Sequence, residues 1–80
     1  MEMLRSAARK VVGTKQVTRA LKAGQASRAY VAKDADTFIF QQVVRAAEAA
    51  GVPCVRVDTM KELGMVCGVE VPAAAAAVLK

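Results

Sequence analysis

Helix-type and strand-type patterns alternate along this chain, and the alternation limits its possible folds more than any other feature. Three glycines, Gly24, Gly51 and Gly68, stand where helical patterns end, the position at which helices commonly take a glycine cap. Such alternation is typical of an α/β layered domain, with helices packed against a sheet. A chain of 80 residues has room for one core, so residues 1–80 are expected to form a single domain.

The spacing of apolar residues predicts where the elements lie. Helices are expected over residues 1–10, 15–23 and 38–50, and a fourth begins at the capping box Thr59 to Glu62 and ends at Gly68. Strands are expected over residues 28–33 and 54–57.

The helix starts and faces can also be predicted. Thr14 is expected to cap the second helix, and Asp36 or Thr37 the third, because short polar side chains accept hydrogen bonds from first-turn N–H groups. In the second helix, Val17, Ala20, Leu21 and Gly24 are expected on one face, and Lys15, Arg19 and Lys22 on the opposite face. The third is expected to bury Phe38, Ile39, Val43, Ala46 and Ala47.

The alanine-rich tail, residues 73–79, supports two interpretations. Alanine has the highest intrinsic helix propensity, which favours a helix. A layered α/β domain, however, needs a last strand to complete its sheet, and a buried strand can be a continuous run of small apolar residues. We therefore predict a strand.

The core must be built from small aliphatic side chains. Apolar residues make up 55% of the chain, much of it alanine and valine, with one Tyr, two Phe and no Trp. This composition suits close packing of helices on a sheet. It leaves little aromatic surface for stacking bases, which argues against RRM and OB types of nucleic-acid platform.

Positive charge is concentrated in the first two-fifths of the chain. Residues 1–33 contain eight basic residues and one acidic residue, a balance of +7, whereas residues 34–80 contain four and six, a balance of −2. A concentrated basic region is the electrostatic footprint of a polyanionic partner. A charge that serves only solubility is the alternative.

The residues needed for enzyme chemistry are missing or out of context. The chain has no histidine, the commonest general base, and Ser6 and Ser27 lie in no nucleophile-elbow motif. The glycines form neither a Walker A loop nor a dinucleotide-binding fingerprint. Asp34 and Asp36 could hold a divalent cation, but carboxylates between a strand and a helix are more typical of helix caps. We predict a non-enzymatic protein without cofactor or metal.

The two cysteines, Cys54 and Cys67, lie in apolar runs. A zinc site needs about four Cys or His ligands at close spacing, so we interpret both as small core residues in a reducing cytosol. The charged N-terminus does not have the pattern of a signal peptide. The uncharged run at residues 71–79 is too short to span a bilayer. A cytoplasmic location without a membrane partner is expected.

The start of the second helix combines three features of anion recognition. Gly13 allows a ligand backbone to approach closely. The first-turn N–H groups lack intrahelical partners and carry the positive end of the helix dipole. Lys15, Gln16 and Arg19 add donors that can reach phosphates or the acceptor atoms of guanine. An ordinary capped surface helix is the alternative.

The segment between Gly68 and Pro72 is a second candidate. Val69, Glu70 and Val71 lie between a helix-ending glycine and a proline, which indicates an apolar loop that does not have to be buried. Beside a basic helix, such a loop could pack on unstacked bases. A plain helix-to-strand connection is the alternative.

Three stretches together resemble a known family: GTKQVTRALKAG at residues 13–24, YVAKDAD at residues 30–36, and residues 52–79. They resemble the L-seven-Ae family of kink-turn-binding ribosomal proteins, most closely its short bacterial, YbxF-like branch. The most specific part is LGMVCGVEV at residues 63–71. The resemblance implies a three-layer α/β/α sandwich with a mixed, roughly four-stranded sheet, and it supports the strand predicted for the tail.

The resemblance also implies a site. Members of the family bind kink-turns, sharply bent RNA helices with sheared G·A pairs, whose major groove receives the start of the second helix while the late loop covers extruded bases. The matching positions here are Gly13, Thr14, Lys15, Gln16 and Arg19 for the groove, Val69, Glu70 and Val71 for the loop, and Lys61 for a phosphate.

Two pairs of residues depart from the archaeal pattern of the family. Lys15-Gln16 replaces Asn-Glu, and Lys22-Ala23 replaces Glu-Arg. A glutamate accepts a hydrogen bond from an exocyclic amine more strongly than a glutamine, whereas a glutamine is not repelled by phosphate. The departures therefore bear on base selectivity and affinity more than on RNA binding itself.

The sequence and its resemblance to this family together imply a monomeric RNA-binding protein that recognises and stabilises kink-turns in ribosomal or regulatory RNA. The alternative is a ribosome-associated structural or protein-interaction module that binds RNA without preference for the kink. An enzyme acting on phosphorylated small molecules is a distant third hypothesis.

Overall fold

The computed structural model describes the backbone of residues 2–80 and the side chains of residues 4–80. Within this part of the chain, helices and strands alternate, as the sequence predicts. The elements are α1 Glu2–Ser6, β1 Lys10–Val12, α2 Thr14–Lys22, β2 Ala26–Ala32, α3 Thr37–Ala50, β3 Cys54–Val57, α4 Met60–Cys67 and β4 Ala75–Leu79. No helix among these combines the length and the apolar character needed to cross a membrane.

The four strands form one mixed sheet in the order β1-β4-β2-β3. Strand β4 is antiparallel to both of its neighbours, and β2 runs parallel to β3. The alanine-rich tail is therefore a central strand, and the strand prediction is confirmed. Its position in the sheet decides the conformation, since β4 forms backbone hydrogen bonds on both sides, which outweighs the helix propensity of alanine.

Helices cover both faces of this sheet, which confirms the three-layer α/β/α sandwich. On one face α2 and α3 pack on the sheet through buried side chains such as Val17, Leu21 and Val43. On the other face Leu4 of α1 and Leu63 of α4 do the same. The alanines of β4 alternate between the two faces and are 0% exposed. Small side chains on a strand buried on both faces allow the two helical layers to approach closely.

The first helix is shorter than predicted. It ends at Ser6, and Lys10, expected in the helix, starts β1 and pairs with Val78. The Leu79 N–H also donates to the Arg9 carbonyl at 3.0 Å. Pairing with a strand far away along the chain overrides the local helical pattern.

One predicted core residue is wrong. Phe38 is 74% exposed, whereas Val43 and Ala47 are fully buried as predicted; Ile39 and Ala46 are half-buried. With 3.6 residues per turn, Phe38 lies about 180° around the helix from Ala47, so the two cannot face the same core. The partly buried Phe40 packs against this core instead.

Both cysteines are free; Cys67 is buried, and Cys54 is half-buried. Burial raises the pKa of each thiol, and a nearby cation, Arg56 for Cys54 and Lys10 for Cys67, partly offsets the rise. Burial also raises the pKa of the Tyr30 hydroxyl. Raised thiol pKa values favour the protonated, unreactive form, consistent with the prediction of core cysteines.

Candidate nucleic-acid interface

Three helix starts meet at one edge of the sheet. Strands β1 and β2 are both antiparallel to β4, and β3 is parallel to β2, so the carboxyl ends of β1, β2 and β3 lie at the same edge. Because α2, α3 and α4 follow these strands, all three begin there, and β4 enters the sheet there. This edge collects both segments that the sequence singles out.

The start of α2 is held by backbone alone. Its N-cap is Gly13, with φ 104°, and no side chain of residues 4–80 caps the helix. The Gly13 N–H donates to the Ala75 carbonyl at 2.9 Å, and the Gly13 carbonyl accepts from Val17. Thr14 is already the first helical residue, so its predicted role as cap is wrong. A left-handed φ that glycine adopts readily lets the chain turn directly from β1 into the helix.

This arrangement leaves the first turn of α2 open. In the described part of the chain, the N–H groups of Thr14, Lys15 and Gln16 have no hydrogen-bond acceptor. They point along the helix axis at its positive end, where anions are favoured. The helix start thus presents three backbone donors to solvent at the sheet edge.

The side chains around this start are cationic and unpaired. Lys15, Gln16, Arg19 and Lys22 are exposed, and none of the three cations forms an ion pair within residues 4–80. Thr18 behind them is buried, and its hydroxyl donates to the carbonyls of Thr14 and Lys15. Lys15, Arg19 and Lys22 border an open depression, and no acidic side chain of residues 4–80 lines it. We call this region the α2 surface.

The start of α4 is capped from two directions. The Thr59 hydroxyl accepts from the Glu62 N–H at 3.0 Å, which confirms the predicted cap, and Asp34 Oδ1 accepts from the Met60 N–H at 2.8 Å. Asp36 caps α3 in the same way by accepting from the Phe38 N–H. Both carboxylates of the predicted acidic turn therefore accept a hydrogen bond from the first turn of a helix. Among the residues described, no group of His, Cys, Asp and Glu could hold a metal ion.

The second predicted segment forms an exposed loop after α4. Val71 is 66% exposed, Glu70 is exposed, and Val69 is half-buried against the core. A hollow of about 280 Å³ is lined by Lys61, Met65, Val69, Glu70, Val71 and Pro72. We call this region the loop surface.

Met65 belongs to the loop surface although the sequence does not predict it. It is 70% exposed, and it lies four residues after Lys61, so both side chains project from the same side of α4. The capping box predicts the helix, and the four-residue spacing from Lys61 within it could have identified Met65 from the sequence.

Gly64 sets the position of the loop. A Cβ at this position would overlap the carbonyl oxygen of Val71. The Val69 N–H donates to the Gly64 carbonyl, and the Ala73 N–H donates to the Met60 carbonyl, both at 3.0 Å. The loop therefore lies directly against the helix where only glycine fits, and no local pattern predicts this contact.

The α2 surface and the loop surface are neighbours, and the depression beside the first and the hollow beside the second have different lining residues. The first lies with α2 on one face of the sheet, and the second lies with α4 on the other. The hydrogen bond from Gly13 to Ala75 joins them, because Ala75 begins β4 directly after the loop. The structure thus brings the predicted residues to one edge in two separate groups.

Comparisons with known proteins agree with this architecture. Residues 2–80 match the family model described as ribosomal protein L7Ae/L30e/S12e/Gadd45 family. The RNA-binding protein YbxF of Geobacillus stearothermophilus is 48% identical over 79 residues, which cover 99% of this chain and 96% of the relative. An RNA-binding protein of Bacillus pumilus is 45% identical over 69 residues, 86% of this chain and 84% of the relative.

Solved structures are similar as well. The Giardia lamblia 15.5kD RNA binding protein superposes with a TM-score of 0.82 at 27% identity, over 99% of this chain and 72% of that one. A protein of unknown function from Bacillus halodurans C superposes with a TM-score of 0.84 at 19% identity, over 98% and 78% of the two chains, which shows the fold alone.

Proposed function

Because the chain belongs to the ribosomal protein L7Ae/L30e/S12e/Gadd45 family, we propose that it recognises and stabilises kink-turn RNA. Membership of this family, together with relatives named as RNA-binding proteins, supports a non-enzymatic RNA-binding protein. Preference for a kink with sheared G·A pairs goes beyond RNA binding in general, and we base it on the geometry of the site.

The observation that carries it is the open start of α2. Three unpartnered N–H groups stand beside Lys15, Gln16 and Arg19 at an exposed edge. Such a helix start enters a groove end-on, with backbone donors on phosphate and side-chain donors on guanine O6 and N7. An intact RNA helix has a major groove too deep and narrow to be read, so this surface needs an RNA whose groove is opened by a bend.

The loop surface supplies the second contact. Val71 and Met65 offer apolar area to unstacked bases, and Lys61 at its border can contact a phosphate. Gly13, Thr14, Lys15, Gln16 and Arg19 would bind the paired part of the kink, and Val69, Glu70 and Val71 the bases that leave the stack. An RNA that presents an open groove beside extruded bases would engage both surfaces together.

The test compares a kink-turn RNA with the same RNA in which the G·A pairs are replaced by Watson–Crick pairs. The kinked RNA is expected to bind at least about tenfold more tightly, the value of one good base contact. Affinities measured by anisotropy over a salt series should fall linearly on logarithmic axes, because phosphate contacts release counterions. Equal affinity for both RNAs would leave only binding without preference for the kink.

We also propose that the protein acts in the cytoplasm as a monomer. Its target would lie in ribosomal or other structured noncoding RNA. Sequencing of RNA recovered with the tagged protein identifies the target, and cosedimentation with ribosomal subunits distinguishes a ribosomal from a regulatory RNA.

A further inference from the structure

The side chain of Phe38 belongs to neither hydrophobic cluster of the described residues and to none of the proposed kink-turn contacts. It is 74% exposed in the first turn of α3. Of the three large apolar side chains exposed within residues 4–80, Met65 and Val71 belong to the loop surface. Phe38 lies instead on the opposite face of the sheet, beside α2.

The phenyl ring lines a groove between α2 and α3. The groove measures about 350 Å³, within the range of ligand-sized clefts, about 300–1,000 Å³. Its walls are formed by Thr18 and Lys22 of α2 and by Phe38, Gln41, Gln42 and Arg45 of α3. The side chains of α3 recur at intervals of three and four residues, so they form one continuous wall.

This α2–α3 groove is cationic. Lys22 and Arg45 are the charged residues that line it, and neither forms an ion pair in the part of the chain that the structure describes. Thr18 and Lys22 also border the depression that Lys15 and Arg19 line. The groove is therefore continuous with the α2 surface.

The topology gives the groove a direction. Helices α2 and α3 both begin at the edge where the proposed RNA contacts lie, so they run side by side away from it. Phe38 lies at the near end of the groove. Lys22 lies about 10 Å further than Lys15 along α2, at 1.5 Å per residue. A strand leaving the kinked RNA at Lys15 would meet the aromatic ring first and the two cations beyond it.

We propose that the α2–α3 groove binds a single-stranded RNA segment that continues from the kinked RNA, an inference that rests on the proposed function. A base stacks on the exposed face of Phe38, the amides of Gln41 and Gln42 meet base edges, and Lys22 and Arg45 bind the phosphates. Aromatic platforms combined with cations and hydrogen-bonding side chains are how proteins hold unpaired nucleotides.

The chemistry favours RNA over a protein as occupant. Among the residues whose side chains the structure describes, no acidic one lines the groove, so a basic peptide finds no counter-charge there. The carboxylates of an acidic peptide would pair with the two cations, but a carboxylate has no aromatic face to stack on Phe38. A single nucleotide matches all three kinds of side chain, with its phosphate on the cations, its base face on the ring and its base edge on the amides, and the groove continues a surface proposed to bind RNA.

The experiment adds a single-stranded tail of about four uridines to either end of a kink-turn RNA and measures affinity by anisotropy. One of the two tails is expected to raise the affinity of the unaltered protein roughly tenfold, the effect of stacking one base. Phe38→Ala should remove this gain and leave the affinity for the tail-free RNA unchanged. Phe38→Tyr, which keeps an aromatic face, should retain the gain. Because Phe38 is exposed, circular dichroism should show all variants folded.

Several results would overturn the inference. These are no gain from either tail, or a gain that persists in Phe38→Ala. A dimer of the RNA-free protein that Phe38→Ala dissociates would assign the groove to a second copy instead. Attaching the same tails to the RNA with disrupted G·A pairs tests groove binding separately from kink-turn recognition. Equal binding of the two tail-free RNAs defeats kink recognition, whereas a Phe38-dependent gain on either RNA still supports the groove.

Discussion

The starts of α2 and α4 lie at the same edge of the sheet and are built in opposite ways. The start of α4 is capped by Thr59, carries Glu62 in its first turn and receives Asp34 from another loop. The start of α2 has a glycine at the cap, no acidic residue in its first turn and no side-chain cap. Each has a lysine, Lys15 or Lys61, at the second helical position.

The start of α4 thus contributes to stability, whereas the start of α2 is left without a side-chain cap. A cap is worth about 1 kcal/mol and an acidic first turn about 0.3–1 kcal/mol, and α2 forgoes both. Its lysine adds repulsion with the helix dipole that no neighbouring carboxylate offsets. An anionic partner would supply both the missing acceptor and the missing charge, which fits the proposed RNA contact.

Reversing the charge at Lys15 should have the largest effect. Lys15→Glu is expected to weaken binding of kink-turn RNA about 100-fold, since a contact worth about 1–3 kcal/mol becomes a repulsion. The same change should stabilise the folded protein by about 0.3–1 kcal/mol, because a carboxylate favours a helix N-terminus. Anisotropy and urea unfolding measure the two effects.

Lys80→Glu is the matched control. It makes the same change of charge directly after the last residue of β4, and β4 begins at the edge where α2 starts. If both variants lose affinity equally, the protein responds to net charge and the α2 start is not special.

Gly64→Ala tests how the loop surface is held. The added methyl meets the Val71 carbonyl, so the loop must shift, and the free energy of unfolding should fall by about 1–3 kcal/mol, as for other overpacked sites. Amide exchange at Val69, which donates to Gly64, should become faster. Met65→Ala, at the exposed neighbouring position, is the control. If the free energy of unfolding of Gly64→Ala is unchanged, the close contact with α4 does not hold the loop in place.

Removing one hydroxyl from each helix start compares them directly. Thr59→Ala should lower the free energy of unfolding by about 1 kcal/mol, because it removes a cap. Thr14→Ala should change it by less than about 0.5 kcal/mol, since this hydroxyl caps nothing. Urea denaturation of both variants measures the difference. Equal losses would mean that α2 is capped in solution and that its start is not open.

The smallest expected effect is at the loop surface. Val71→Ser should weaken RNA binding by about 0.75 kcal/mol if about 30 Å² of apolar area is lost from the contact. Since no ion contact changes, the slope of affinity against salt should stay the same, whereas Arg19→Ala should reduce that slope by about 1. Val71→Leu, which keeps the apolar surface, should bind normally. A salt slope altered by Val71→Ser would contradict an apolar role for the loop.

Much of this molecule follows from its sequence because the relevant physics is local. Strand β3 has the predicted bounds, and α3 and α4 end at the predicted glycines. The exposed row of Lys15, Arg19 and Lys22 follows directly from the helical period. Hydrogen bonds and side-chain periodicity within a helix involve residues three or four apart, so a short stretch of sequence is enough to specify them.

What the tertiary structure decides involves residues distant along the chain. Pairing of Lys10 with Val78 ends α1 early, packing of Ala47 on the sheet turns Phe38 outward, and Asp34 reaches across to cap α4. The sequence by itself determines which segments are basic or apolar and which are helix or strand. Only the sheet order, which places β4 between β1 and β2, brings the open start of α2 and the loop held by Gly64 to one edge. Strand pairing between remote segments has no local signature.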